Sequence, residues 1–223
     1  MIDLATWNLS VPEGSPPKTV EPSELKSGFN DKYFNSDGGT LFFWAPVTGT
    51  KTANAIYPRT ELRESFSDGQ LHNWTFPEAD NSLRATLEVE QVPSSGKIVI
   101  GQIHAYNSTR PLLKVEYQYH DDTKSGNVVA KLRANPTTTE ARVITIATDV
   151  PMNEHFKYLI HLSRTGELGV SVRDRNWTTH LSSSWQDKEL YFKAGVYTQD
   201  NTGYTTEGGK VTFYALKINH EKS

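Results

Sequence analysis

Short strand-like segments separated by turn residues recur along almost the whole chain, and this pattern limits what the chain can fold into. Within the segments apolar and polar residues alternate with period two, which is typical of β-strands with one buried face. Sequences such as SDGG at 36–39 and KSGN at 124–127 lie between the segments and have the composition of tight turns. The predicted strands lie at 40–45, 55–66, 82–92, 98–105, 112–119, 128–133, 142–147, 156–163, 167–173, 190–199 and 209–219.

Helical periodicity is nearly absent, apart from one short turn of helix predicted at 22–25. No linker, repeat or low-complexity tract divides the sequence. We therefore predict an all-β fold, a sandwich or jelly roll, that forms a single domain over residues 1–223.

Charge and composition restrict the classes of ligand. The 223 residues carry a net charge of −3, so the chain offers no general basic field, and we expect no nucleic-acid or membrane partner. No apolar run approaches the about 18 residues that a membrane span needs. The absence of cysteine excludes disulfides, zinc thiolates and a cysteine nucleophile. If the ligand is an anion, the positive charge that binds it must be local.

Three of the predicted strands carry polar faces that are unusually specific for a solvated surface. Because side chains alternate along a strand, each polar set shares one face, and three such strands side by side would form a concave groove for a glycan. On the second strand, Val99, Gly101, Ile103 and Ala105 are expected on the opposite face. The polar sets are Arg59, Glu61 and Arg63; Gln102 and His104; and Tyr191, Lys193, Tyr197 and Gln199, with Gly195 leaving room for a ligand to approach the backbone.

The same residues resemble the motifs of a known family. The sequences RTELR at 59–63, QIH at 102–104 and YFKAGVYTQ at 191–199 are similar to the three motifs of polysaccharide lyase family 7, the alginate lyases, and occur in that family's order. The resemblance spans essentially the whole chain. It implies a concanavalin A-like jelly roll of two curved antiparallel sheets with a glycan-binding groove.

The resemblance also implies a reaction and a role for each polar residue. Alginate is a polyuronate, and a lyase removes the proton on carbon 5 and expels the oxygen on carbon 4 by β-elimination. Arg59 and Gln102 would neutralise the sugar carboxylate, Tyr197 would be the acid, and His104 would be the base for guluronate. We expect the cationic neighbours of Tyr197 to lower its pKa. The residues expected to bind and orient the sugars are Glu61, Arg63, Lys193 and Gln199, with Glu61 also orienting the arginines.

Further expectations follow from this resemblance. No metal or other cofactor is expected, since no metal-ligand spacing of histidines occurs. The partner is an anionic polysaccharide and the protein a monomer. No secretory signal is evident at the start of the chain, so localisation stays open, although a polymeric substrate favours secretion or the periplasm. Ile103 slightly favours guluronate-containing or mixed blocks.

Three alternatives remain at this stage. A glycoside hydrolase would need two carboxylates, for which Glu88 and Glu90 are candidates. A lyase for another polyuronate, such as glucuronan, would share the fold and the chemistry. A non-catalytic glycan-binding module would use the aromatics Trp44, Trp74, Trp177 and Trp185. Endo or exo action would depend on loops, for which 44–56 and 121–127 are candidate lids.

Overall fold

Two antiparallel β-sheets packed face to face form the protein, as a computed structural model that describes residues 1–222 shows. One short helix, α1, spans Pro22–Lys26, and single 3₁₀ turns lie at Asp37–Gly39, Phe76–Glu78 and Ser183–Trp185. The strands are β1 Trp7–Ser10, β2 Thr19–Val20, β3 Phe34–Asn35, β4 Leu41–Pro46, β5 Arg59–Glu64, β6 Asp80–Gln91, β7 Lys97–Ala105, β8 Leu113–His120, β9 Ser125–Leu132, β10 Arg142–Val150, β11 Phe156–Leu162, β12 Glu167–Val172, β13 Arg175–His180, β14 Leu190–Thr198 and β15 Gly208–Glu221.

The order of strands in the two sheets is that of a jelly roll. The eight-stranded sheet runs β10-β9-β8-β7-β14-β5-β1-β2, and the seven-stranded sheet runs β13-β12-β11-β6-β15-β4-β3. The predicted all-β sandwich is therefore confirmed. The single domain predicted over 1–223 ends one residue beyond those that the structure describes. Among residues 1–222, no helix has the length and apolar character needed to cross a membrane.

The order in the larger sheet brings the three motif strands together. Strand β14 lies between β7 and β5, although β5 and β14 are far apart in the chain. Lys193 of β14 is in register with Gln102 on one side and with Arg63 on the other. Neighbouring strands lie about 4.8 Å apart, so side chains in register on one face are direct neighbours.

Apolar residues of both sheets fill the space between them. On β14 the alternate residues Phe192, Ala194 and Val196 are buried in this core, as the period-two pattern predicts. Ile103 of β7 is also fully buried and faces away from the polar side of the sheet. The polar residues between them therefore lie on the outer face of the larger sheet.

A β-bulge in β7 changes the alternation that the sequence predicts for this strand. The register with β14 and β8 shifts around Ile100, which places two consecutive residues on the core side. Ile98 and Ile100 belong to the hydrophobic core, and Val99 does not. The prediction that Val99 shares a face with Ile103 is therefore wrong, because the extra residue reverses the alternation between them.

The lack of a side chain at Gly195 is required by the neighbouring strand and not by a ligand. Its φ is +142°, and a Cβ atom there would lie 2.6 Å from the carbonyl oxygen of Thr60 and 3.1 Å from the core ring of Phe43. The interpretation that Gly195 leaves room for a ligand is therefore wrong. A side chain at this position would collide with β5 and the core, so glycine permits the close pairing of β14 with β5.

The segments predicted from the sequence correspond to the long strands, with differences at the ends. Strand β5 begins at Arg59, so 55–58 is not part of it, and the helix predicted at 22–25 is observed as α1. The strands that the pattern did not predict are β1, β2, β3 and β13. Strands β2 and β3 have two residues each, and β13 is mostly exposed at a sheet edge, so the alternation that marks a half-buried strand is weak there.

Candidate active site

A cavity of about 630 Å³ lies over the outer face of the larger sheet. Its floor is formed by side chains of β5, β7 and β14, and its walls include residues 52–55 and 107–109 together with Asn8 and Ser10 of β1. The candidate lid at 44–56 therefore borders the cavity with its last part, whereas 121–127 does not line it. The predicted site residues in the cavity wall are Arg59, Glu61, Arg63, Gln102, His104, Lys193 and Tyr197.

Glu61 is the centre of the hydrogen bonds in this cavity. Its carboxylate is 1% exposed and accepts from Arg59 Nη1 at 2.9 Å, Lys193 Nζ at 2.7 Å and Gln102 Nε2 at 2.8 Å. Burial by itself would raise the pKa of Glu61, but the Lys193 and Arg59 charges outweigh burial and lower the pKa to about 2. One permanent anion thus holds three donor groups from three strands in fixed positions.

At Lys193 burial outweighs the neighbouring carboxylate, which is the opposite of the balance at Glu61. Its side chain is 11% exposed, and burial together with the charge of Arg59 lowers its pKa to about 8 in spite of the contact with Glu61. The ammonium group is therefore still mostly charged at neutral pH. Its charge, added to those of the arginines, gives the cavity the local positive character that an anionic ligand needs.

Tyr197 packs under the guanidinium of Arg59. The guanidinium carbon lies 3.8 Å from the centre of the tyrosine ring, and Tyr57 meets the same ring edge-on at 6.4 Å. Burial raises the pKa of Tyr197, and Arg59 offsets only part of this rise. The prediction of a lowered pKa is therefore wrong, because loss of solvent outweighs the cationic neighbour. Tyr197 keeps its proton at neutral pH.

His104 is neutral in this environment. Burial and the nearby Lys193 charge lower its pKa to about 3. Its Nδ1 faces both the amide nitrogen of Ala105 at 2.8 Å and the carbonyl oxygen of Ala105 at 3.0 Å. In the tautomer that donates from Nδ1 to this carbonyl, Nε2 has a free lone pair and can accept a proton.

Tyr191, for which the motif gave no role, joins two of the other motif residues. Its ring stacks on His104 with the centres 5.4 Å apart, and the guanidinium of Arg63 lies 3.5 Å from the ring centre. Tyr191 also lines the cavity. It therefore fixes the position of the histidine against an arginine from β5, a role that only the pairing of the three strands reveals.

Arg63 is not held by Glu61, which differs from the prediction that Glu61 orients both arginines. Its guanidinium donates to the carbonyl oxygens of Glu64 and His72 and to Asn73 Oδ1, the last at 2.7 Å. Of the two arginines only Arg59 bonds to Glu61, because Arg63 lies at the other end of β5, beside the turn that leads to Asn73. Arg63 still lines the cavity.

Gln199 is the one predicted site residue that does not line the cavity. It follows the end of β14, where its backbone amide donates to Lys97 and its side chain donates to the carbonyl oxygen of Tyr197 at 3.3 Å. Asn8 and Lys114, which the sequence reading did not select, do line the cavity. Their only signal is a position on strands next to the motif strands, which is visible once the order of strands is known.

The residues proposed for other functions lie elsewhere. Glu88 and Glu90 are on β6 of the smaller sheet, where they accept from the hydroxyl groups of Tyr214 and Thr212. Of the tryptophans considered for a glycan-binding module, Trp74 and Trp185 are buried in the core. Within residues 1–222, therefore, neither these two carboxylates nor any of the four tryptophans lines the cavity.

A jelly roll with a cationic, tyrosine-lined cavity on one sheet defines the class as β-sandwich proteins built to hold an anionic glycan. Residues 2–220 match the family described as Alginate lyase. An alginate lyase from Pseudomonas aeruginosa of known crystal structure is 41% identical, with 98% of this chain and 100% of that chain covered and a TM-score of 0.94. The chain therefore belongs to the alginate lyases of polysaccharide lyase family 7.

Two further relatives agree with this assignment. The alginate lyase of Klebsiella pneumoniae is 28% identical, and the alignment covers 98% of this chain and 89% of that protein. The alginate lyase A1-II′, a member of polysaccharide lyase family 7, is 29% identical, with 100% of this chain and 97% of that chain covered and a TM-score of 0.87. A variant of A1-II′ has been solved in complex with the substrate GGMG.

Proposed function

We propose that the protein cleaves alginate by β-elimination at the 4-O-glycosidic bond and leaves unsaturated uronate ends. One observation carries the proposal: Arg59 and Gln102 are fixed side by side by Glu61, with Tyr197 and His104 lining the same cavity. The proton on carbon 5 of a uronate is hard to remove, because the adjacent carboxylate is already negative. A site for this reaction must therefore neutralise the carboxylate and supply both an acid and a base.

Arg59 and Gln102 are proposed to neutralise the carboxylate. Each uses one donor on Glu61 and retains others, and Arg59 Nε is a buried donor for which residues 1–222 provide no acceptor. Because Glu61 holds the two side chains before substrate arrives, little reorganisation is needed as negative charge develops. One preorganised donor of this kind contributes roughly 3 kcal/mol of transition-state stabilisation.

Tyr197 and His104 are proposed to move the protons. The raised pKa of Tyr197 keeps its hydroxyl protonated, which suits an acid that protonates the leaving oxygen. Neutral His104 accepts the carbon-5 proton of guluronate through Nε2. For mannuronate, whose carbon-5 proton lies on the other face of the sugar, the reaction uses the minor form of Tyr197 that has released its hydroxyl proton to solvent. This phenolate accepts the carbon-5 proton as base and then donates it to the leaving oxygen as acid.

The remaining polar residues are proposed to hold the polymer. Arg63 and Lys193 bind carboxylates of neighbouring sugars, and Glu61 positions its donors. Gln199, which follows the end of β14 outside the cavity wall, contacts the polymer there. A slight preference for guluronate-containing or mixed blocks is part of the proposal. Any effect of Ile103 on this preference is indirect, because its side chain is buried on the core side of β7. The proposal also includes that the protein is a single domain and a monomer.

The test is turnover of defined polymers by the wild type and by Tyr197→Phe. With alginate, we expect the wild type to give an unsaturated product that absorbs in the ultraviolet, and Tyr197→Phe to lose about 10²–10⁴-fold in kcat, the usual contribution of general acid–base catalysis. Tyr57→Phe, which alters the ring beside Tyr197, is the matched control and should stay within a few-fold of wild type.

Two results would contradict the proposal. Binding of alginate by the wild type without any unsaturated product would make the protein a glycan-binding module. Near-normal turnover by Tyr197→Phe would remove Tyr197 from the chemistry. Parallel assays on polymannuronate, polyguluronate, mixed alginate and glucuronan measure the uronate preference and distinguish a lyase for another polyuronate.

A further inference from the structure

Lys114 is a cationic residue in the cavity wall that lies outside the three motifs. It is on β8, in register with Gln102 of β7, which is itself in register with Lys193 of β14. The three side chains therefore form a row across the strands, with about 4.8 Å between neighbours. The row continues on the other side through Arg63 to Asn8 of β1, and all five residues line the cavity.

The charge of Lys114 is not neutralised by the protein. Within the part of the chain that the structure describes, its ammonium group has no hydrogen-bond or ion-pair partner. The nearest carboxylate on its own strand, Glu116, is already bound by Lys131 Nζ at 3.0 Å and by Gln118 Nε2 at 2.7 Å. Burial and the charge of Lys131 lower the pKa of Lys114. A half-buried cation without a partner is costly, so its presence in a cavity wall points to an anionic ligand.

Lys131 provides the contrast within the same row. It is in register with Lys114 on the next strand, β9, and carries the same charge. However, its ammonium is paired with the buried carboxylate of Glu116, and it does not line the cavity. Of these two neighbouring lysines, therefore, only Lys114 lines the cavity and has a charge left for a ligand.

We propose that Lys114 binds the carboxylate of a uronate unit on the β8 side of the cleavage site and so extends the binding row beyond Gln102. This inference rests on the proposed function for the identity of the polymer. A polyuronate carries one carboxylate per sugar, so a chain that crosses the strands along the row presents anions to Arg63, to the centre of the site and to Lys114 in turn. Lys114 acts in binding and takes no part in proton transfer.

The experiment compares Lys114→Met with Lys157→Met, which removes the same charge from an exposed position of β11 on the other sheet and leaves the ion pair of Lys131 with Glu116 intact. Binding of polymannuronate and polyguluronate is measured by titration calorimetry in a Tyr197→Phe background, so that the readout does not require turnover. We expect Lys114→Met to weaken binding roughly tenfold or more, the effect of losing one charge-assisted contact, and Lys157→Met to leave it unchanged. Lys114→Arg, which keeps the charge, should restore most of the affinity.

Kinetics on the active enzyme give a second readout. Lys114→Met should raise KM for the polymer with little change in kcat, and the effect should disappear with oligomers too short to reach β8. Equal affinity of Lys114→Met and wild type for both polymers would overturn the proposal, as would an equal loss in Lys157→Met or a fall in kcat alone. Absence of product from the wild type would contradict the proposed lyase reaction, while the calorimetric comparison would still decide the role of Lys114.

Discussion

Glu61 and Glu64 lie on opposite faces of the same strand, and both are 1% exposed. Glu61 faces the cavity and is held by side chains that can also contact a ligand: Arg59, Lys193 and Gln102. Glu64 faces the core. It accepts from the indole nitrogen of Trp74 at 2.7 Å and from the backbone nitrogen of Phe192 at 3.0 Å, and its other oxygen lies 2.5 Å from His220 Nε2.

The two glutamates differ in whether their hydrogen-bond partners can still contact a ligand. The donors around Glu64 are an indole, a backbone amide and a histidine that also contacts Asn81 Oδ1, so their hydrogen bonds are used within the fold. The cluster of Glu64, His72 and His220 brings three possible metal-ligand atoms within 4.8 Å of one another. The short contact between Glu64 and His220 is, however, a hydrogen bond between the two side chains. Identical side chains thus differ by environment: one stabilises the sandwich and the other prepares a site.

Glu61→Gln tests this comparison most strongly. It keeps the shape of the side chain but removes the charge that holds Arg59 and Lys193, so we expect kcat/KM on alginate to fall about 10³-fold through misplaced donors. The protein should still fold, as judged by circular dichroism. Glu64→Gln is the matched control on the other face and should keep near wild-type kcat/KM. Equal losses in the two variants would show that Glu61 has no special role in the site.

Glu64→Leu tests the other side of the comparison. Leucine leaves the buried donors Trp74 Nε1 and Phe192 N without an acceptor, which should lower the free energy of unfolding by about 3 kcal/mol. Denaturant unfolding measures this loss, and the folded fraction should retain its kcat. A variant as stable as the wild type, or a folded variant without activity, would contradict the structural role given to Glu64.

The loss of stability at acid pH tests the charge of Glu61. The pKa of Glu61 is lowered from 4.5 to about 2 in the folded protein. Its contribution is therefore fully present above pH 4.5 and is lost as the pH falls towards about 2. The advantage of wild type over Glu61→Gln, about 3 kcal/mol at neutral pH, should shrink across this window. If the difference in Tm between the two proteins stayed constant from about pH 6 to about pH 2, that result would contradict the lowered pKa.

Much of the fold was predictable because period-two alternation reports burial directly. The core residues of β14 and most long strands follow from it. The alternation failed around Val99, where a bulge inserts a residue, and at Gly195, whose role depends on contact with β5. Neither a bulge nor a close approach between strands can be predicted from the residues of one strand alone.

The candidate site divides in the same way. The three motifs named Arg59, Gln102, His104 and Tyr197, and the structure brings all four to one cavity. Their resemblance to a family supplied the roles, since alternation alone showed only polar faces. The pKa of Tyr197 was predicted in the wrong direction, because the charge of Arg59 is visible in the sequence and the extent of burial is not.

By itself the sequence determined the all-β class, the core face of most long strands and the polar residues of three motifs, because these depend on the order of residues along one strand. Only the tertiary structure decided that β14 lies between β5 and β7, that Glu61 collects three donors while Glu64 supports the core, and that Lys114 joins the row. These properties depend on which strands pair and in which register, and hydrogen bonds between distant segments set both.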